Sequence, residues 1–294
     1  MNHDSDQRPT SRDLEITRVT PTGAEAVPDR VVVEWPVLIH ANGVAVGLLM
    51  ALPGHERELA AGFALSEGII RGRDDLLAVE ACAQPREEPA AEGQQPVAPA
   101  LLVRLTVPAD RVSEVRYGQP VVRFACGTVS KSLLREQLTP LADGFTIDAD
   151  LLPRLYAAMT GEQTLYRTTG GTHAAAVFDR EGRLLVLRED VGRHNALDKV
   201  LGHCLLEGIA TSDKVIVTSG RASAELVLKA VAAGVPVLAA MSAPTALAVT
   251  WAEQYRLPLI AFLKPRRANL YAAAHRLTGL QEGTIAEDAS PGGD

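Results

Sequence analysis

Between Lys214 and Leu263 the chain reads KVIVTSGRASAELVLKAVAAGVPVLAAMSAPTALAVTWAEQYRLPLIAFL, and the rhythm of this stretch decides the fold. Lys214–Thr218, Val235–Ala240 and Leu257–Leu263 are short apolar runs of strand length, and Ala222–Ala233 and Thr245–Tyr255 between them are long enough for helices. Strands apolar on every residue must be covered on both faces, so the alternation predicts α/β layers with parallel neighbours and right-handed crossovers. Just upstream, Ala174–Phe178 and Leu184–Arg188 flank Asp179-Arg180-Glu181-Gly182 as a hairpin, and Ala196–Leu206 follows as a helix with an apolar stripe.

Further towards the amino terminus the period changes. Val31–Trp35, Val37–His40 and Val44–Leu49 read as strands, with Asn42-Gly43 as a tight hairpin turn because both residues tolerate positive φ. Glu56–Ile69 repeats Leu59, Ala60, Phe63 and Ala64 at helical spacing, an amphipathic helix set against that hairpin. Gln84–Pro99, rich in Pro, Glu, Gln and Ala, reads as a solvent loop between the strand candidates Leu76–Cys82 and Ala100–Val107, and residues beyond Glu282 should fray.

Composition bounds the function. Hydrophobic residues are 47% of the 294 and aromatics only 4%, so the core must be built from Ala, Val and Leu. A net charge of -7 gives no footprint for a phosphate backbone, which argues against nucleic-acid binding but leaves room for a local basic patch. No window nears the roughly 18 apolar residues of a spanning helix, and the polar start carries no export signal. Cys82, Cys126 and Cys204 are three scattered thiols, neither a disulfide framework nor a zinc knuckle. A cytoplasmic, reducing location and no membrane are therefore expected.

Five segments carry polar residues that a core does not require. In Val122–Ser132, Cys126 sits beside Gly127 between Arg123 and Lys131, cations that favour the nucleophilic thiolate; a small buried core thiol is the alternative. Thr168–Ala174 delivers Thr172 and His173 from a glycine turn to a strand edge. Glu189–Asn195 opens a helix whose start His194 and Asn195 could cap, or where they could bind an anion together with Arg193. Thr218–Glu225 is a strand-to-helix turn offering Ser219, free N–H groups and Arg221, where α/β sheets hold ligands. Phe262-Leu263-Lys264-Pro265-Arg266-Arg267 runs a buried strand out into three cations, suited to a phosphate or pyrophosphate or simply solvated.

Taken in order, these segments resemble the FdhD family of formate dehydrogenase accessory sulfurtransferases over about Val37–Tyr271. The most specific matches are Glu58-Leu59-Ala60-Ala61-Gly62-Phe63, Ser66-Glu67-Gly68-Ile69, Gly171-Thr172-His173, Glu189 to Lys199, Ser219-Gly220-Arg221 and Ser242-Ala243-Pro244-Thr245. The resemblance implies a cytidine-deaminase-like three-layer α/β/α catalytic domain at 123–280 bearing the Cys126 loop, and a small α+β subdomain at 21–122. Residues 1–20 and 281–294 would be disordered tails. It implies transfer of a persulfide sulfur from a cysteine desulfurase, through Cys126, to the molybdenum bis(molybdopterin guanine dinucleotide) cofactor as bound substrate, with formate dehydrogenase as client.

The family's cofactor-contacting segment maps onto Phe262–Arg267; Arg221, Ser219, Arg193, His194 and His173 are expected to complete the pocket, with a guanine nucleotide as surrogate ligand and no structural metal. A homodimer is an open option. The family's loop carries Cys-x-x-Cys, whereas Val129 stands where the second cysteine would be, which removes a dithiol relay but not transfer through one thiolate. A zinc deaminase would need His-x-Glu and Pro-Cys-x-x-Cys, and neither is present. The remaining rival is a non-enzymatic chaperone that binds the cofactor without carrying sulfur.

Overall fold

The computed structural model describes residues 8–82, 100–110, 122–123 as backbone, and 138–280. Ser11–Thr20 (β1) and Gly23–Val32 (β2) form an antiparallel ribbon registered from Ser11 opposite Val32 to Thr20 opposite Gly23. This corrects the expected tail at 1–20 for its second half. Leu14 and Ile16 alternate with polar neighbours, Ile16 meets Val27 across the ribbon, and Arg30 pairs with Asp13 at 2.6 Å.

Trp35–Ala41 (β3) and Val44–Ala51 (β4) make the expected hairpin, turning through Asn42 and Gly43 at φ 49 and 83, the left-handed pair that a two-residue turn requires. They join Ala78–Ala81 (β5), Leu101–Thr106 (β6) and Val122–Arg123 (β7) in a five-stranded sheet of order β5-β6-β3-β4-β7.

Glu56–Ser66 (α1) is shorter and far more buried than an amphipathic surface helix, with Leu59 through Ser66 all inside. The reason is that it lies between that sheet and Arg193–Glu207 (described below as α4), sharing one apolar core with both. The two helices cross at glycines. A Cβ on Gly62 would fall 1.8 Å from the Asp198 carbonyl oxygen, and one on Gly202 1.8 Å from that of Glu58, so only bare backbone fits at the crossing.

Ile147–Asp148 (β8) pairs in parallel with Leu277–Thr278 (β15). Leu152–Glu162 (α2) and Thr164–Thr169 (α3) lead into a six-stranded sheet. Its members are His173–Phe178 (β9), Leu184–Asp190 (β10), Val215–Thr218 (β11), Val237–Ala240 (β12), Leu259–Lys264 (β13) and Arg267–Ala272 (β14), in the order β10-β9-β11-β12-β13-β14. The helices between are α4, Ala224–Ala232 (α5) and Ala246–Gln254 (α6). Strands β11, β12 and β13 are parallel as expected, but β9 and β14 run antiparallel to their neighbours, so the sheet is mixed.

Alternation along the strands splits the interior. Ala175, Val177, Ile216 and Leu238 face α1, α4, α5 and α6, whereas Ala174, Ala176, Phe178 and Val217 face α2. Helices therefore cover both faces, and the first of these cores runs without a break from β3 and β6 to β13.

Candidate functional site

Because β9 is antiparallel to β11, His173 at its start lies on the same sheet edge as the carboxyl ends of β11, β12 and β13. Backbone hydrogen bonds stitch the loops on this edge into one rim. Ser219 N–H donates to Ala174 O at 2.9 Å, and the Ser219 hydroxyl accepts from Ala174 N–H at 2.9 Å. Ala222 N–H donates to Ala243 O at 3.0 Å, Thr245 N–H to Ala222 O at 3.0 Å, and Phe262 N–H to Ser242 O at 3.1 Å. The segments expected to bind an anion are thus physically contiguous.

Gly220 sits at the narrowest point of the rim: a Cβ there would meet the Arg193 side chain at 3.1 and 3.2 Å and His173 Nδ1 at 3.5 Å. The Arg193 Nε is buried and has no hydrogen-bond partner among the described residues, a donor left over for a ligand. Burial, reinforced by the charges of Arg193 and His194, pushes the His173 imidazole below its ordinary range, so it is neutral at pH 7 and faces the Ser219 hydroxyl at 3.5 Å. The amino terminus of α4 adds its positive end, its first intrahelical bond running from Ala196 N–H to Gly192 O.

The carboxyl-terminal segment divides. Lys264, Pro265, Arg266 and Arg267 are exposed in the β13–β14 hairpin on this edge, and Arg221 is exposed beside it. Among the described residues no hydrogen bond links any of these five to Arg193, His173 or Ser219. Leu263 is fully buried in the α2-side core and lends the rim only backbone. Phe262 explains the switch, since its φ of 51 marks a bulge that puts Ala261 and Phe262 on one face and Leu263 on the other. A phenylalanine held in the left-handed region is strained, and such strain gathers at functional sites.

His194 also turns inward. It is 5% exposed, with its Nε2 3.1 Å from Glu225 and 3.3 Å from the Ser223 hydroxyl, so it joins α4 to α5. Cys126 lies outside the described residues; β7, which ends three residues before it, pairs with Leu48 and Leu49 of β4. Burial pushes the Cys204 thiol up to about 11, leaving it un-ionised and inert, and Cys82 lies half-buried against Leu38 and Leu102.

Sequence reasoning named Asn195 only as a cap or anion binder and missed Glu189, Asp190 and Lys199, which with it hold the rim in place. Glu189 accepts from Leu165 N–H at 2.8 Å, Tyr166 N–H at 2.7 Å and the Thr172 hydroxyl at 2.8 Å, which starts α3 and pins the turn before His173. Asp190 takes four donors: Gly192 N–H at 3.0 Å, Asn195 Nδ2 at 2.9 Å, Leu52 N–H at 3.0 Å and Lys199 Nζ at 2.8 Å. Asn195 also donates to Met50 O at 2.8 Å and Lys199 to Leu52 O at 2.9 Å. Their signal in the sequence was Asn195, Asp198 and Lys199 recurring at i, i+3 and i+4 between the apolar positions of one helix.

A second concavity of about 930 Å³ runs along β10, between Pro53–Glu56 and Glu162–Leu165. Its charges are largely matched. Burial alone would raise the Glu58 carboxyl, but hydrogen bonds from Arg188 at 2.6 and 2.8 Å, with His55 and His203 alongside, hold it well below the usual carboxylate range.

This chain belongs to the FdhD/NarQ family, whose profile matches residues 32–278. It is 39% identical over 275 residues to the sulfur carrier protein FdhD of Nocardia farcinica, covering 92% of this chain and 95% of that one. The protein of the same name from Mycolicibacterium paratuberculosis is 40% identical over 274 residues, with 91% and 98% covered. A crystal structure of a candidate formate dehydrogenase accessory protein from Desulfotalea psychrophila shares the fold with a TM-score of 0.70 at 24% identity, over 92% of this chain and 100% of that one.

Proposed function

We propose that this protein is a sulfur carrier that loads a persulfide on Cys126 and delivers its terminal sulfur to a molybdenum bis(molybdopterin guanine dinucleotide) substrate for a formate dehydrogenase client. In the loading step the Cys126 thiolate attacks the terminal sulfur of a desulfurase persulfide. The new S–S bond forms as the old one breaks, and the desulfurase cysteine leaves as thiolate. The family membership and the names of the relatives support sulfur carriage. The helices on both faces of the mixed sheet support the finer reading of a cytidine-deaminase-like catalytic unit with an amino-terminal subdomain.

The observation that carries the substrate reading is the rim, where an Arg193 Nε without a partner among the described residues, neutral His173 and the strained Phe262 share an edge with the exposed cations of Arg221 and Lys264–Arg267. Such an edge suits the phosphates of a guanine dinucleotide. Incubation with a cysteine desulfurase and cysteine should add one sulfur, about 32 Da by the mass of the atom, to wild type and not to Cys126→Ala, with loss on reduction. Nucleotide binding without any sulfur adduct on wild type would leave the non-enzymatic chaperone as the function.

A further inference from the structure

We infer that Asp190, Asn195 and Lys199 are positioning residues that hold the anion rim in register with strand β4, and so with the strand β7 that precedes the sulfur-bearing cysteine. The inference rests on the proposed function and extends it to residues that touch neither sulfur nor nucleotide. Asp190 ends β10, and both oxygens of its carboxylate are doubly occupied: one by Gly192 N–H and Asn195 Nδ2, the other by Leu52 N–H and Lys199 Nζ. The first pair fixes the turn that presents Arg193. The second pair grips Leu52 just beyond β4, where Lys199 also holds Leu52 O, and Asn195 holds Met50 O within the end of β4.

Asp190 and Lys199 are both fully buried, so this grip is shielded from water and from salt. Apolar packing would glue the two regions together with equal strength, but it has no register. Three directional bonds to Met50 and Leu52, backed by three more that tie Asp190 to Gly192, Asn195 and Lys199, fix where β4 ends relative to the first turn of α4. Strand β7 pairs with β4 at Leu48 and Leu49, one residue from the gripped segment. A shift of the rim on binding an anion would therefore reach β7 through backbone held at both ends, a contiguous run of hydrogen bonds of the kind that carries coupling between sites.

The test measures coupling rather than stability. Guanosine diphosphate is titrated against wild type and Asn195→Ala, and the alkylation rate of Cys126 by iodoacetamide is followed by peptide mass spectrometry with and without saturating nucleotide. In wild type the nucleotide should change the Cys126 rate at least threefold. In Asn195→Ala, which loosens the turn that presents Arg193 along with the hold on Met50, the nucleotide should bind more weakly than to wild type, and with nucleotide raised to saturation the threefold response at Cys126 should collapse towards one.

A response that survives in Asn195→Ala overturns the inference, as does a wild type that binds nucleotide with no response at Cys126. A wild type that binds no nucleotide sinks the rim reading itself, and this inference with it. If Asn195→Ala loses its cooperative thermal transition, Asn195→Ser replaces it, since the shorter side chain drops the Met50 contact while keeping a polar group beside Asp190.

Discussion

The helix crossing and the sheet rim are built from the same stretch of sequence and obey opposite rules. At the crossing every group is matched. Lys229 Nζ lies 2.9 and 2.8 Å from the two Asp198 oxygens and 2.7 Å from the Ser66 hydroxyl, which itself donates to Asp198 at 2.8 Å. Burial opposes the charge on Lys229, and the carboxylates of Asp198 and Glu67 outweigh it. At the rim, a few residues earlier on the same helix, Arg193 keeps a buried donor without a partner among the described residues, and the cations of that edge stand exposed. A matched buried pair is costly to break, while an unmatched donor is available to a ligand. The segment Glu189–Lys199 resembles a binding motif, yet Arg193 alone of its charged side chains remains open.

The largest effect should come from breaking the crossing. In Gly202→Ala or Gly62→Ala the new methyl would overlap carbonyl backbone at 1.8 Å, and neither helix can yield without releasing the other. We expect a loss of more than about 4 kcal/mol, read as insoluble expression or the absence of a cooperative urea transition. Gly47→Ala is the control, because its Cβ would meet only the end of the Phe63 ring, at 2.9 Å. A well-folded Gly202→Ala would show that the crossing is looser than described.

Next in size is the buried ion pair. Lys229→Met strands the Asp198 carboxylate at 2% exposure, and removing one partner of such a pair typically costs about 3–5 kcal/mol. Chemical denaturation should show that loss, and Asp198→Leu combined with Lys229→Met should recover at least half of it, since apolar replacement of both partners is often close to neutral. A double variant as unstable as the single one would mean that Ser66 and Glu67, rather than the charge pair, set the energetics.

What could be read from sequence follows the range of the interaction. Val215–Thr218, Val237–Ala240 and Leu259–Lys264 announced themselves through local apolar runs, and Asn42-Gly43 through backbone freedom. Ser11–Thr20 did not, because its alternation is weak and most of its side chains stay in solvent. The direction of β9 was equally hidden, being set by its pairing with β11 some forty residues later.

At the rim, His173, Arg193 and Ser219 were legible as polar residues at strand and helix ends. The inward turns of His194 and Leu263 were not, since one depends on Glu225 and the other on a bulge at Phe262. The pairing of Asp198 with Lys229 joins two helices that no local pattern links.

The smallest effect on stability, and the one that sharpens the contrast, belongs to the rim cations. Arg221 and Arg266 are exposed and belong to no ion pair among the described residues, so truncating either should leave the unfolding free energy within about 0.5 kcal/mol of wild type. Binding should respond differently. A guanidinium offers paired donors to phosphate oxygens, and each charge-assisted bond contributes about 1.5–3 kcal/mol, so Arg221→Ala and Arg266→Ala should each weaken guanosine diphosphate by roughly tenfold or more in titration calorimetry. The wild-type affinity should fall as salt is raised, because these groups lie in water, whereas the urea midpoint, governed by buried and shielded pairs, should hardly move. Unchanged affinity in both variants would place the nucleotide away from the β13–β14 hairpin and leave Arg193 as the only cation of the rim with a claim on it.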